Sequence, residues 1–263
     1  MKKYQKQSGM TVDAEYREEQ GNPFFEALPE ILGKEEVMKR LRSQIPYPKD
    51  IQKRSPEERR REVMEISKWF YPMDYMYTIY DMLYRAMSAT YQTKNIVDHI
   101  RQMNDLYMDF RTGREREFQY ATQAYTGAVL GVPGIGKTST VQRCLSLMPQ
   151  VIVHTNYGGK PMYTKQINYL FVECPSDCSV RTLAFNIFSA IDRAIGSDYL
   201  KQATYQRAVA ASATTTKLKI ICMNHHIGLI VIDEIQNAIQ TAVKNRQLKP
   251  LVKFLVELTN ETS

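Results

Sequence analysis

Cysteine is scarce in this chain. Its 263 residues include four, Cys144, Cys174, Cys178 and Cys222, scattered through apolar segments. That scatter fits buried, reduced thiols in a cytoplasmic protein better than a disulfide framework. Long apolar runs are missing too. Gly228–Ile232 is far short of the roughly 20 residues that cross a bilayer, and the lysines after Met1 lead into no apolar core. Neither a membrane span nor a signal peptide is therefore expected. Twelve glycines exclude a collagen repeat, and 43% hydrophobic residues with 24% charged exclude a disordered chain. No internal repeat and no Ser-His-Asp grouping is visible. The charge is one-sided but modest: 35 Lys and Arg against 28 Asp and Glu give +7. Such a balance permits nucleic acid or an anionic surface as partner, but solvated cations on helix faces are the favoured account of it.

What is present divides in two. Residues 1–115 read as a mainly helical region. Residues 1–21 are polar, with a flexible start expected, and Asn22-Pro23-Phe24-Phe25 gives a turn and then an anchored apolar segment. Ser55-Pro56-Glu57-Glu58 predicts a helix start: a capping serine, proline at the first helical position and acids in the first turn. Arg59-Arg60-Arg61 follows on that helix as a solvated face, with a phosphate contact as the alternative. Met76, Ile79, Tyr80, Leu83 and Met87 recur at helical spacing and predict a buried stripe. The aromatics around it (Trp69, Phe70, Tyr71, Tyr75, Tyr77) are expected to serve a core; stacking on bases is the alternative reading. Ile96–Phe110 reads as a further helix.

Residues 116–263 change pattern. Short apolar runs at Gly127–Leu130, Val151–Val153, Tyr169–Val172 and Leu229–Ile232 predict strands, with Asn156–Pro161 as a turn. They alternate with helices: one placing Val141, Cys144, Leu145 and Met148 on one face, one capped by Ser179 and stopped at Gly196, one over about 205–224 and one over Lys249–Leu258. Alternation of this kind indicates an α/β domain with a parallel sheet flanked by helices.

Two motifs carry chemistry. Gly131-Val132-Pro133-Gly134-Ile135-Gly136-Lys137-Thr138, followed by Ser139, fits the phosphate-loop pattern G-x-x-x-x-G-K-[ST], between a predicted strand and a predicted helix. Glycines there let backbone N–H groups turn inward around a phosphate, and the helix N-terminus adds positive potential. Lys137 would reach the β- and γ-phosphates, and the Thr138 hydroxyl would bind Mg²⁺. Leu229–Ile232 ends in Asp233-Glu234: Asp233 would hold Mg²⁺ through water, and Glu234 would polarise the attacking water as general base. ATP and Mg²⁺ are the expected ligands. The 96-residue spacing between Lys137 and Asp233 leaves room for another strand and helix pair, as in the additional-strand class of P-loop ATPases. Cys174, Cys178, Cys222, His225 and His226 are a weaker zinc alternative, because the cysteine spacing is wrong and no second pair exists.

With both motifs in view, the chain resembles the TnsC family of AAA+ ATPases, regulators of target choice in bacterial cut-and-paste transposition related to TniB- and MuB-type proteins. The resemblance rests on Asn22–Pro29, Pro149–His154, Cys174–Ser197 and Leu229–Gln236, with Asp233-Glu234-Ile235-Gln236 the narrowest part. It implies an AAA+ P-loop fold behind a helical N-terminal region. It also implies ATP-dependent rings or helical filaments of the protein on double-stranded DNA in the bacterial cytoplasm, and contact with target-selection proteins and the transposase. Lys160, Lys165 and Arg181 are the DNA contacts to try first from their sign and place, a solvated loop being the alternative for each. The family's sensor strand, arginine finger and lid have no counterpart after Glu234, so the sequence is expected to be a fragment of the ATPase core. Other AAA+ ATPases of initiator or signalling type, or a scaffold that binds nucleotide without hydrolysis, are the competing functions.

Overall fold

A computed structural model describes residues 9–17, 21–44, 48–92, 108, 111–112, 125–177, 179–205, 211–236, 243 and 248–262. The expected helix over Ile96–Phe110 falls almost wholly outside them. The chain forms two compact units that interleave along the sequence. One comprises Met1–Pro29, Tyr84–Ala128 and Met148–Ser263; the other comprises Glu30–Leu83 and Val129–Leu147.

The larger unit is mixed α/β. Strand β1 (Thr11–Asp13) pairs in parallel with β2 (Val151–Tyr157), and β2 pairs antiparallel with β3 (Lys160–Ile167). A second sheet pairs β4 (Leu170–Glu173) in parallel with β5 (Ile230–Asp233), in the register Leu170 to Ile230 and Glu173 to Asp233. Against β4 lies the helix Val180–Ile195, and on that helix the helices Ala211–Asn224 and Leu248–Thr262. Ser179 caps the first of these, accepting from the Thr182 N–H at 3.5 Å, and Gly196 closes it in the left-handed conformation at φ 73°. Both ends follow the sequence signals. Leu183, Ile187 and Ile191 point inward and bury completely with Leu170, Val172, Leu218 and Phe254. Of the expected helix over about 205–224, the helix Ala211–Asn224 is seen and Tyr205 ends a preceding helix, Tyr199–Tyr205, while 206–210 lie outside the described residues.

Two sequence expectations change here, and one strand is new. Residues 11–13 form that strand, which the sequence did not signal: the Gln150 and Val151 N–H groups donate to Met10 O, and Ala14 N–H donates to Val153 O, while the expected flexible start, residues 1–8, lies outside the described residues. Gly158 and Gly159 (φ 56° and 71°) make a two-residue hairpin turn, so residues beyond Asn156 continue as two long strands. Two consecutive positive φ angles suit the strand twist, and glycine adopts them without strain. Gly127–Leu130 forms no strand. A strand needs a neighbour to take its N–H and C=O groups; no described strand supplies one, and Leu130 is 90% exposed.

The N-terminal segment is held on this unit by buried polar contacts. His154 touches Tyr16 Oη through Nδ1 (2.8 Å) and Gln166 Oε1 through Nε2 (2.8 Å), while Gln166 donates to Phe24 O and Asn168 Oδ1. Burial holds the His154 pKa below its ordinary value. Tyr91, fully buried, donates to His226 O at 2.7 Å. Its ring leaves no room at Gly228, where a Cβ would sit 2.6 Å from the Tyr91 oxygen. Gly228→Ala is therefore expected to cost about 1–3 kcal/mol, read as a lower denaturant midpoint at unchanged m-value.

The smaller unit is helical. It holds Lys34–Leu41, Pro56–Glu65, the first half of Tyr75–Gln92 and the helix Lys137–Leu145. Ser55 and Glu58 form a reciprocal capping box, Glu58 N–H to Ser55 Oγ at 3.3 Å and Ser55 N–H to Glu58 Oε2 at 2.9 Å, as the sequence signalled. Met76, Tyr80 and Leu83 are buried, as are Val141, Cys144 and Leu145. The Cys144 thiol reaches Met76 O at 3.5 Å, and burial pushes its pKa up to about 12. Cys144 is thus expected to resist iodoacetamide at pH 8 in the native protein and to react after unfolding, since the thiolate is the nucleophile. Among the described residues no helix is long and apolar enough to cross a membrane.

Candidate nucleotide site

The phosphate-loop residues lie in the smaller unit. Pro133-Gly134 forms a turn, Gly134 and Gly136 hold φ of 82° and 89°, and the helix Lys137–Leu145 starts directly behind them. Both glycines are required by that backbone, which a residue with a Cβ adopts only under strain. Gly131 is a different case: a Cβ there would meet Ile135 Cγ2 at 3.3 Å. Gly136 is the helix N-cap and, being a glycine, gives its first turn no side-chain cap. Uncapped N–H groups at a helix start are a ready anion site. The Lys137 ammonium bends back over the loop and donates to Gly131 O (2.9 Å) and Val132 O (3.2 Å). Thr138 is half-buried on the first turn and Ser139 is exposed. The loop fits a polyphosphate: open backbone at both left-handed glycines, a helix N-terminus and one cation within its span.

The carboxylates lie in the larger unit. Asp233 ends β5 opposite Glu173 at the end of β4, and Cys174 N–H donates to Asp233 O at 2.9 Å. The Asp233 side chain accepts from the Glu234 N–H at 3.0 Å, which ties the two acids together. Glu234 takes φ 57°, unusual for a residue with a side chain. Its carboxylate accepts from Gln236 Nε2 at 2.8 Å. An open cleft of about 540 Å³ beside it is lined by Glu173, Cys174, Pro175, Ser176, Asn186 and Glu234. Two carboxylates at one end of a parallel strand pair can hold a divalent cation and orient water.

Residues 120–263 match the family profile of the AAA domain. The match covers more than half of the chain. This chain belongs to the AAA domain family. It is accordingly an AAA-type P-loop ATPase by family, and nucleotide binding follows from that membership. Among curated proteins none matches the chain.

Sequence reading of this AAA domain missed Glu173, Ser176 and Asn186 beside Glu234. Only Glu173 had a partial signal, since Leu170–Val172 and Ile230–Ile232 are apolar runs each followed by an acid, and the pairing of those two strands is what brings it to the site. The suggested DNA contacts differ in what they do locally. Lys160 is exposed beside the hairpin turn. Lys165 Nζ donates to Ile195 O at 3.1 Å, the usual place for a cation at a helix C-terminus. Arg181 lies 5.4 Å from the centroid of the Phe185 ring on its own helix. His225, weighed as a zinc ligand, engages Tyr199 Oη through Nε2 (2.8 Å) and Lys165 O through Nδ1 (3.3 Å). No group of three or more His, Cys, Asp or Glu placed to hold a metal ion occurs among the described residues.

Proposed function

We propose that the protein is an ATP-switched regulator of transposition that assembles on duplex target DNA and links target-selection proteins to a transposase. The observation that carries the nucleotide half is the uncapped start of the helix Lys137–Leu145 behind two left-handed glycines. In this reading residues 131–139 bind the phosphates of ATP, with Lys137 released from Gly131 O and Val132 O to the β- and γ-phosphates. Thr138 and Asp233 would hold Mg²⁺, which supplies charge neutralisation on the phosphate oxygens. Glu234, kept in place through Gln236, takes the proton of the attacking water.

The DNA half is supported by the net charge of +7 and by the resemblance over Asn22–Pro29 and Asp233–Gln236. Lys160, Lys165 and Arg181 are its candidate contacts. Homo-oligomers in rings or filaments, and the bacterial cytoplasm as location, belong to the same reading. It is tested by the anisotropy of a fluorescent 40-base-pair duplex titrated with the protein. Binding is expected with a non-hydrolysable ATP analogue and not with ADP, and should weaken as salt rises. Equal binding in the two nucleotide states points instead to a nucleotide-binding scaffold that does not switch.

A further inference from the structure

One surface of the smaller unit has no place in nucleotide chemistry. Phe70 is bridged to Ser43 by two backbone hydrogen bonds of 3.0 Å, so the residues on either side of it turn the other way. Phe70 itself lies beneath the Arg143 guanidinium at 3.8 Å. Trp69 and Tyr71 are therefore presented together, 55% and 50% exposed. Their ring centroids are 6.4 Å apart and their planes 30° from parallel, near the roughly 6.6 Å of two residues of extended chain. Arg42 caps the Tyr71 ring at 4.6 Å.

The helix Pro56–Glu65 leads into this segment and buries none of its residues. Neighbouring Arg54 is tied to Asp50 and Glu62, and Lys68 to Glu65. Arg59, Arg60 and Arg61 are exposed and carry no ion pair among the described residues. At 1.5 Å per residue as far as Glu65 and about 2 Å through the tighter turn Ile66–Lys68, they stand within about 20 Å of Trp69 along the chain.

The geometry points to a binding site for single-stranded nucleic acid, with unpaired bases stacking on Trp69 and Tyr71 and the phosphates met by Arg59, Arg60 and Arg61. Exposed, co-oriented aromatic faces reward bases that lack stacking partners, and unpaired arginines reward phosphates; single strands offer both. Bases inside a duplex are already stacked and give such rings nothing. The site does not depend on the nucleotide loop, and its occupant differs from the duplex of the proposed function.

Trp69 is the only tryptophan in the chain, so its emission reports this surface alone. The experiment titrates the full chain, without nucleotide, with a twenty-residue oligothymidylate. Saturable quenching is expected, with a midpoint that moves to higher concentration as salt rises. Tyr71→Ala, which keeps the reporter, should raise the midpoint about 5- to 150-fold. Replacing Arg59, Arg60 and Arg61 by alanine should flatten the salt dependence. Unchanged emission, or a Tyr71→Ala midpoint equal to wild type, overturns the proposal. Equal quenching by a twenty-base-pair blunt duplex overturns it also, and equal quenching by a poly-glutamate peptide assigns the surface to an acidic protein instead.

Discussion

Lys137→Ala is expected to abolish useful nucleotide binding. The ammonium already sits over the loop, held by Gly131 O and Val132 O, so it reaches a bound phosphate by exchanging two neutral acceptors for charged ones. Charge-assisted contacts of this kind are worth about 2–3 kcal/mol, or roughly 30- to 150-fold in Kd. The loss is readable without turnover. Saturating ATP at 100 times the wild-type Kd should stabilise the wild type by about 2.7 kcal/mol, raising its Tm, and should stabilise Lys137→Ala by only about 0.3–0.9 kcal/mol at the same concentration. Fold damage is a poor rival explanation, because the Lys137 side chain contacts only its own loop in the described hydrogen bonds. An equal ligand-induced shift in both proteins would remove the loop from the nucleotide site.

Glu234→Gln is expected to separate binding from hydrolysis. Glutamine keeps the shape and one acceptor at the cleft but cannot take a proton. A general base contributes about 10²–10⁴-fold, so turnover should fall by that factor while the Kd for ATP changes little. The backbone adds a further constraint. Glu234 holds φ 57° and its N–H is fixed by Asp233 Oδ1 at 3.0 Å, so the side chain is aimed by the main chain and the same aim is retained in the variant. Steady-state phosphate release and equilibrium binding on one preparation check both halves. Full turnover in Glu234→Gln would assign the base to another residue, with Glu173 across the strand pair the first to test.

The legible parts of the fold were those fixed by local physics. Ser55 and Ser179 announced helix starts because a hydroxyl meets N–H groups three residues on, and Gly196 announced a stop because its φ of 73° is costly for other residues. The stripe through Met76, Tyr80 and Leu83 followed from helical spacing alone. Pairing was less legible. Lys160–Ile167 mixes lysines, a proline and a tyrosine, and only its β2 partner and the Gly158-Gly159 turn make it a strand. Thr11–Asp13 is three residues long and exists because Val151–Val153 offers it an edge. Gly127–Leu130 shows the converse, an apolar run with strand propensity and no neighbour among the described strands to complete it. The aromatics at Trp69 and Tyr71 were expected in a core on composition; the Ser43–Phe70 bridge turns them outward, which no periodicity could reveal. At the candidate site the loop and the acid pair were readable because backbone angles and carboxylate chemistry demand those residue types at fixed spacings. Glu173 and Asn186 were not, since their place depends on which strand pairs with β5.

Electron microscopy of the protein mixed with duplex DNA and a non-hydrolysable ATP analogue tests the central claim most directly. Ordered rings or filaments on the DNA, absent with ADP and absent for Lys137→Ala, are the predicted result. Isolated particles off the DNA in every nucleotide state would contradict it.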